Sequence, residues 1–365
     1  MKHINLYAYF AKNLGDDLMV EMLISRFPKY RFYTERDIKN ETLLKYPNLK
    51  NKEYYLNPKN HKRWFKRTVT AEYCRKKVEK IESNCLCSVF IGGSLFVQRS
   101  DVSTEQVDKR IQRNNSYLNR GPLFVIGANF GAYSTDYFKT SYESHFRSCA
   151  GLSFRDKASY NMFCHLPNVQ YAPDLVFGYN NCPKQTQTTN EIIISVVDIT
   201  QKYGIENYWE NYENFIAALC DYAIEIGKTP VLMSFCKAEG DEAAIEHILN
   251  KSNNGSLIKK CFYDGDIKCV LQRIANAEAV VGTRFHSVIL AMKLGKPFFA
   301  ISYDQKIDNM LQDINCNSYC NITETETLAP KYVFDNLTKV DTTELEEKSQ
   351  LHFAQLEKYL KEKKR

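Results

Sequence analysis

Short apolar runs alternate along this chain with longer stretches of helical period. Ile4–Phe10 reads as a strand, Ala11–Asp17 as a loop and Leu18–Phe27 as a helix. Further apolar runs ending in loops are Cys87–Ile91, Leu123–Ile126 and Gly151–Phe154, and Asp156 opens a helix that continues to about Cys164. Near residue 182 the texture changes. The polar stretch Pro183–Asn190 predicts a linker. Beyond it, strand and helix signals resume: Ile192–Val197, Trp209–Ile226, Val231–Phe235, Glu242–Asn250, Ile267–Ala275, Ala279–Val281, His286–Leu294 and Pro297–Ser302. Thr343–Lys363 has the pattern of a charged amphipathic helix.

This alternation predicts an α/β chain with parallel sheets and crossover helices. The expected organisation is an N-terminal α/β domain over residues 1–182, a linker over 183–190, a C-terminal α/β domain over 191–340 and a terminal helix over 341–365. Two Rossmann-like domains of this kind are expected to face a cleft, with ligands outside the carboxyl ends of the strands. A length of 365 residues agrees, being too long for one typical core.

Composition narrows the class. The opening MKHINLYAYF lacks the apolar region and small-residue cleavage site of a secretion signal, and no apolar run approaches the length of a membrane span. A cytoplasmic protein is therefore expected. Among the twelve cysteines there is no C-x-x-C pair; Cys85/Cys87 and Cys316/Cys320 are the closest, with no histidine at zinc-like spacing. Cys149, Cys220 and Cys269 lie in apolar or helical stretches, so reduced core residues are expected and no metal. A dispersed net charge of +6 suits an enzyme for anionic substrates and does not imply nucleic acid.

The richest chemistry lies in Val280–Lys306, VVGTRFHSVILAMKLGKPFFAISYDQK. A buried strand ends at Gly282 and a helix starts within a few residues, so backbone N–H groups and the positive end of the helix dipole meet Thr283, Arg284, His286 and Ser287. Arginine adds a bidentate donor for phosphate or carboxylate, and histidine holds a proton near neutral pH. The other reading is a surface arginine beside a histidine that merely caps the helix. Upstream, Gly92-Gly93 after a strand either admits a ligand close to the backbone or makes a tight turn. Asp16 and Asp17 either support a helix start or position and deprotonate a hydroxyl.

The Val280–Lys306 segment resembles the C-terminal signature of the polysaccharide pyruvyltransferase family, in which strand–G-x-R-x-H-S–helix–G-K-P–strand recurs. Other family motifs follow in order: Asn13-Leu14-Gly15-Asp16-Asp17, Ile91-Gly92-Gly93-Ser94, Gly127-Ala128-Asn129-Phe130-Gly131, Ser153-Phe154-Arg155-Asp156 and Ala172-Pro173-Asp174. Ala128 stands where the family usually has Gln. The resemblance covers roughly residues 5–305.

It implies a fold similar to the two-domain GT-B glycosyltransferases, with phosphoenolpyruvate as co-substrate and no further cofactor. It also implies donor binding by Arg284, His286 and an upstream arginine mapped onto Arg155. On this reading Phe285, Ser287, Gly92, Gly93 and Lys306 complete the donor site, while Asn13, Asp16, Asp17 and Asn129 serve a sugar acceptor. His286 supplies the acid that protonates C3 of the enol or the departing phosphate, and Asp16 or Asp17 accepts the hydroxyl proton. The rival enzyme is a nucleotide-sugar glycosyltransferase. No glutamate occurs between Glu278 and Glu324 to grip a donor ribose, which counts against it. A carbohydrate-binding or assembly protein without catalysis is the non-enzyme alternative. The segment Asn60–Arg67, NHKRWFKR, is either a solvated helix with its aromatics turned inward or a peripheral contact with an anionic membrane surface. The second reading suits a lipid-linked oligosaccharide acceptor.

Overall fold

The computed structural model describes residues 2–52 and 67–363. Its chain forms two compact units: Met1–Phe10, Asp16–Leu175 and Gln350–Arg365 make the first, Ala11–Gly15 and Val176–Ser349 the second.

The first unit is built on β1 (Lys2–Tyr7), β2 (Tyr30–Thr34), β3 (Leu49–Asn51), β4 (Cys85–Ile91), β5 (Leu123–Ala128), β6 (Gly151–Phe154) and β7 (Val169–Tyr171). They form one sheet in the order β3-β2-β1-β4-β5-β6-β7, parallel at every pairing. The second unit contains β8 (Glu191–Ser195), β9 (Thr229–Met233), β10 (Lys259–Cys261), β11 (Ala279–Gly282), β12 (Phe298–Ser302) and β13 (Tyr319–Asn321). Their order is β10-β9-β8-β11-β12-β13, again all parallel. Both are Rossmann-like. In each sheet the strand order reverses at one place, between β1 and β4 and between β8 and β11. Such a switch point leaves a crevice beyond the strand carboxyl ends. Gly92 follows β4 and Thr283 follows β11, so both motif loops stand at switch points.

The central strands are buried on both faces, which is why β11 (AVVG) and β12 (FFAIS) are continuous apolar runs without alternation. The edge strand β10 (KKC) instead exposes its two lysines. The cores differ in kind. In the first unit Phe96, Phe130, Phe138, Tyr142, Phe146, Phe154 and Phe163 pack as tilted, edge-on and stacked rings. The second unit relies on branched aliphatics such as Ile192, Ile194, Ile216, Ile245, Val281 and Ile301.

Several boundaries depart from the expectation. The first helix runs Leu14–Arg26 instead of beginning at Leu18. Asn13 Oδ1 accepts from the Gly15 amide at 3.1 Å and caps the helix, so the expected loop is its first turn. The units divide at Leu175/Val176, upstream of Pro183–Asn190. That polar stretch is tied to the second unit: the Thr186 amide donates to Asn276 Oδ1 at 3.0 Å and the Thr189 amide to the Asn276 carbonyl at 3.1 Å. Thr343–Lys363 is not one helix. Thr343–Ser349 and Ala354–Glu362 flank a 3-10 turn, Gln350–Phe353, that buries His352 and Phe353. From Gln350 the chain belongs to the first unit. Cys149 and Cys220 are buried as expected, whereas Cys269 faces outward from the helix Ile267–Asn276.

Candidate active site

At the switch point of the second unit, Arg284 precedes the helix Phe285–Lys293. Ser195, the last residue of β8, is fully buried beneath it. Its Oγ accepts from the amides of Thr283 at 2.9 Å and Arg284 at 3.1 Å and shares a 2.6 Å bond with Ser287 Oγ. Ser287 Oγ donates to the Arg284 carbonyl at 2.5 Å. Two amides expected to face an anion are thus engaged by a serine hydroxyl. Ser195 and Ser287 hold the turn in shape.

The Arg284 guanidinium is itself engaged. Nε donates to Asp241 Oδ2 at 3.0 Å, Nη2 donates to Asp241 Oδ1, and Nη1 donates to Glu239 Oε2 at 2.6 Å. Asp241 is fully buried and also accepts the amides of Phe235 and Cys236, each at 2.9 Å. Burial pushes its carboxyl up from the ordinary value, while Arg284 and the two amides pull it down. Every partner is a donor, and only a carboxylate can receive them all. Burial likewise opposes charge on Arg284, yet Asp241 and Glu239 hold it firmly protonated.

Glu239 receives two further donors, Lys202 Nζ at 2.9 Å and Asn13 Nδ2 at 3.2 Å. Burial raises its carboxyl, but the attraction of Arg284 and Lys202 prevails and holds it far below the usual range. His286 is half-buried against the backbone of Gly15, where an added Cβ would fall 1.7 Å from Nδ1. Phe285 is buried and meets the His286 ring nearly at right angles, 5.1 Å between centroids. Lys306 pairs with Asp304 at 2.9 Å and lies over the Tyr303 ring, 5.5 Å from its centroid.

The first unit gathers its motifs into one cluster. Gly92 has φ +142, in the region that favours glycine. Gly93 carries the Arg155 guanidinium flat on its backbone, so that a Cβ there would stand 2.2 Å from Cζ. Arg155 donates from Nη1 to Asp174 Oδ2 at 3.0 Å and from Nη2 to Asn129 Oδ1 at 2.7 Å. The Asn129 amide in turn donates to the Gly93 carbonyl at 2.9 Å. Beneath, buried His352 bridges Ser153 Oγ at 2.9 Å and the Pro173 carbonyl at 2.8 Å, bracing the segments that carry Arg155 and Asp174.

The two neighbouring aspartates part company. Asp17 is fully buried and accepts from Asn40 Nδ2 at 2.7 Å. Asp16 is partly exposed and lies beside Gly92, with Oδ1 3.6 Å from where a Cβ on that glycine would stand.

Sequence reasoning missed Glu239, Asp241, Lys202 and Ser195. A usable signal existed, since Ser234–Asp241 follows β9 at the same carboxyl edge of the sheet. Nothing in its composition, however, distinguishes it from a polar turn. Among the described residues no group of three or more His, Cys, Asp or Glu is arranged to hold a metal, and no helix is long and apolar enough to cross a membrane. The segment from Lys62 to Lys66, with Trp64 and Phe65, lies outside the described residues.

Comparison with solved structures places the fold. The chain superposes on the UDP-GlcNAc 2-epimerase of Neisseria meningitidis bound to UDP-GlcNAc with a TM-score of 0.59 and 10% identity, covering 98% of this chain and 100% of that one. It matches Anabaena HepE in complex with UDP and glucose with a TM-score of 0.54 and 12% identity, covering 97% and 95%. The Methanocaldococcus jannaschii UDP-GlcNAc 2-epimerase in complex with UDP-GlcNAc and UDP gives 0.54 and 12%, covering 92% and 91%. At these identities the likeness is one of fold: these are GT-B-fold enzymes, and this chain shares their two Rossmann-like domains. A search of curated proteins finds no match. The family model described as polysaccharide pyruvyl transferase matches residues 13–305, from the asparagine that caps the first helix to the residue after Asp304. With five motifs and all but the last residue of the Val280–Lys306 segment inside that span, and four motifs joined in one cluster, the chain belongs to the polysaccharide pyruvyl transferase family.

Proposed function

We propose that this enzyme transfers the pyruvyl group of phosphoenolpyruvate to two hydroxyls of a sugar, forming a pyruvate ketal in polysaccharide synthesis. The observation that carries this reading is the family match over residues 13–305, which encloses both switch-point loops. The donor is a polyanion, so it calls for the basic groups Arg284 and Lys202, with Arg155 assigned through the resemblance. Protonation at C3 of the enol makes C2 electrophilic. One sugar hydroxyl then adds, and the second closes the ring as inorganic phosphate leaves. His286 is assigned the proton transfer, because its ring position is defined by contact with Gly15. Asp16 is assigned the hydroxyl proton in preference to Asp17, which is buried and occupied by Asn40. Gly92, Gly93 and Asn129 shape the first unit's loop around Arg155.

The likeness to proteins crystallised with UDP-sugars makes nucleotide-sugar transfer the reading to exclude. Thermal unfolding with each candidate donor separates the two, since only a ligand bound by the folded state raises the midpoint. Phosphoenolpyruvate should raise it, and UDP- and GDP-sugars should not; the opposite pattern overturns the proposal. Phosphate release with a panel of aryl and lipid-linked glycosides then identifies the acceptor. The basic aromatic segment Asn60–Arg67 is either ordinary solvated surface or a peripheral membrane contact that serves a lipid-linked acceptor, and salt-dependent sedimentation with anionic liposomes separates the two.

A further inference from the structure

Three donors converge on one carboxylate in the second unit. Glu239 accepts from Arg284 Nη1 at 2.6 Å and Lys202 Nζ at 2.9 Å through Oε2, and from Asn13 Nδ2 at 3.2 Å through Oε1. The two carboxylates on Arg284 are not equivalent. Asp241 is fully buried, takes Nε and Nη2 together and is pinned by two backbone amides. Glu239 retains 23% side-chain exposure and ends a short 3-10 turn, Lys237–Glu239, whose other two residues are exposed. Gly240 follows at φ +86. Asp241 is thus built in, whereas a rotation of its own side chain would release Glu239.

Charge points the same way. Arg284 and Lys202 carry two positive charges, and Asp241 and Glu239 two negative ones. Withdrawal of Glu239 leaves one uncompensated positive charge and three oriented donors, arranged for the planar anion they already hold. An incoming carboxylate restores the balance without leaving buried cations unpaired.

We propose that Glu239 is an internal placeholder, and that Asn13, Lys202 and Arg284 form a carboxylate subsite from which it is displaced by the substrate. Resting on the donor reading above, this assigns the subsite to the carboxylate of the pyruvyl group, not to its phosphate. A ligand must then compete with Glu239, so its apparent affinity is reduced by the fraction of molecules in which the placeholder is seated.

Calorimetric titration of the full chain with pyruvate, inorganic phosphate and phosphoenolpyruvate tests the idea. Glu239→Gln keeps the shape of the side chain and removes its charge. It should bind pyruvate about tenfold more tightly than the wild type, a change of ~1.4 kcal/mol, with phosphate affinity changing less. Pyruvate affinity that is unchanged, weaker or undetectable in this variant overturns the inference, because a residue that merely positions Arg284 would weaken binding when altered. An equal gain for phosphate also overturns the assignment to carboxylate. Should Glu239→Gln fail to fold, Glu239→Asp withdraws the charge by one methylene and permits the same measurement with the same sign. Failure of the wild type to bind phosphoenolpyruvate sinks the donor reading instead, while the pyruvate titrations still decide the placeholder.

Discussion

Arg155 and Arg284 stand at the carboxyl edges of two sheets with corresponding strand orders, yet they are set up differently. Arg155 lies on Gly93 and pairs with the carboxylate of Asp174 and the neutral amide of Asn129. Arg284 is held by two carboxylates, one built in and one partly exposed. The partner loops differ in place. Arg284 leaves β11 and takes both carboxylates from the loop after β9, two strands away across β8. Arg155 leaves β6, bonds to residues that follow the adjacent strands β5 and β7, and lies on Gly93 after β4. An arginine at a strand end is therefore not an anion receptor by virtue of its place. Its partner set decides what charge remains for a ligand.

Substituting the two glycines that floor these sites probes the comparison most severely. Gly15→Ala drives a methyl into the His286 ring, and turnover should fall by roughly 10²–10⁴-fold, the range for loss of a proton-transfer group. Gly93→Ala displaces the Arg155 guanidinium and should chiefly weaken donor binding. Single-turnover phosphate release paired with calorimetry distinguishes them; wild-type turnover in Gly15→Ala would remove His286 from the mechanism.

Next in size is the carboxylate contrast. Asp241→Asn takes the carboxylate from two guanidinium donors of Arg284 and from the amides of Phe235 and Cys236 together, and should cost about 3–5 kcal/mol of stability in denaturant titrations. Asp174→Asn should cost less, about 1–3 kcal/mol, because Arg155 keeps Asn129. Equal losses would mean that the two arginines are held alike.

The last effect concerns acid. Burial lowers both His352 and His145, in the first unit, from 6.5 to about 4. Their folded values lie below the unfolded one, so the unfolded chain binds more protons. The stability they contribute is complete above pH 6.5 and declines as pH falls toward 4, by on the order of a few kcal/mol. His352→Gln should flatten this decline; an unchanged acid limb would show that His352 does not govern it.

Apolar runs of β-strand length made the central strands legible, because strands buried on both faces leave no room for polar residues. The helix-start chemistry of Asp156 was legible for the same local reason: its side chain caps the Ser159 amide at 2.7 Å, as a residue of that type before a helix should. Asn13 carries the same signal, but two acidic residues in the following turn also suit a binding loop, so the pattern alone does not separate the two. The polarity of Pro183–Asn190 was visible, but Asn276, which binds it, lies far along the chain.

The sequence by itself determined the parallel α/β architecture, the family, and the residues Arg155, Arg284 and His286 as those worth explaining. Only the tertiary structure decided which groups neutralise the two arginines, that Asp16 and Asp17 have different surroundings, and that the C-terminal turn braces Arg155 through His352. Periodicity and capping act over a few residues and leave a local signature. Charge partners, by contrast, meet where strand ends converge, between positions as distant in sequence as Asn13 and Glu239. No local pattern records such a pairing, because its energy depends on burial and distance set by the whole sheet.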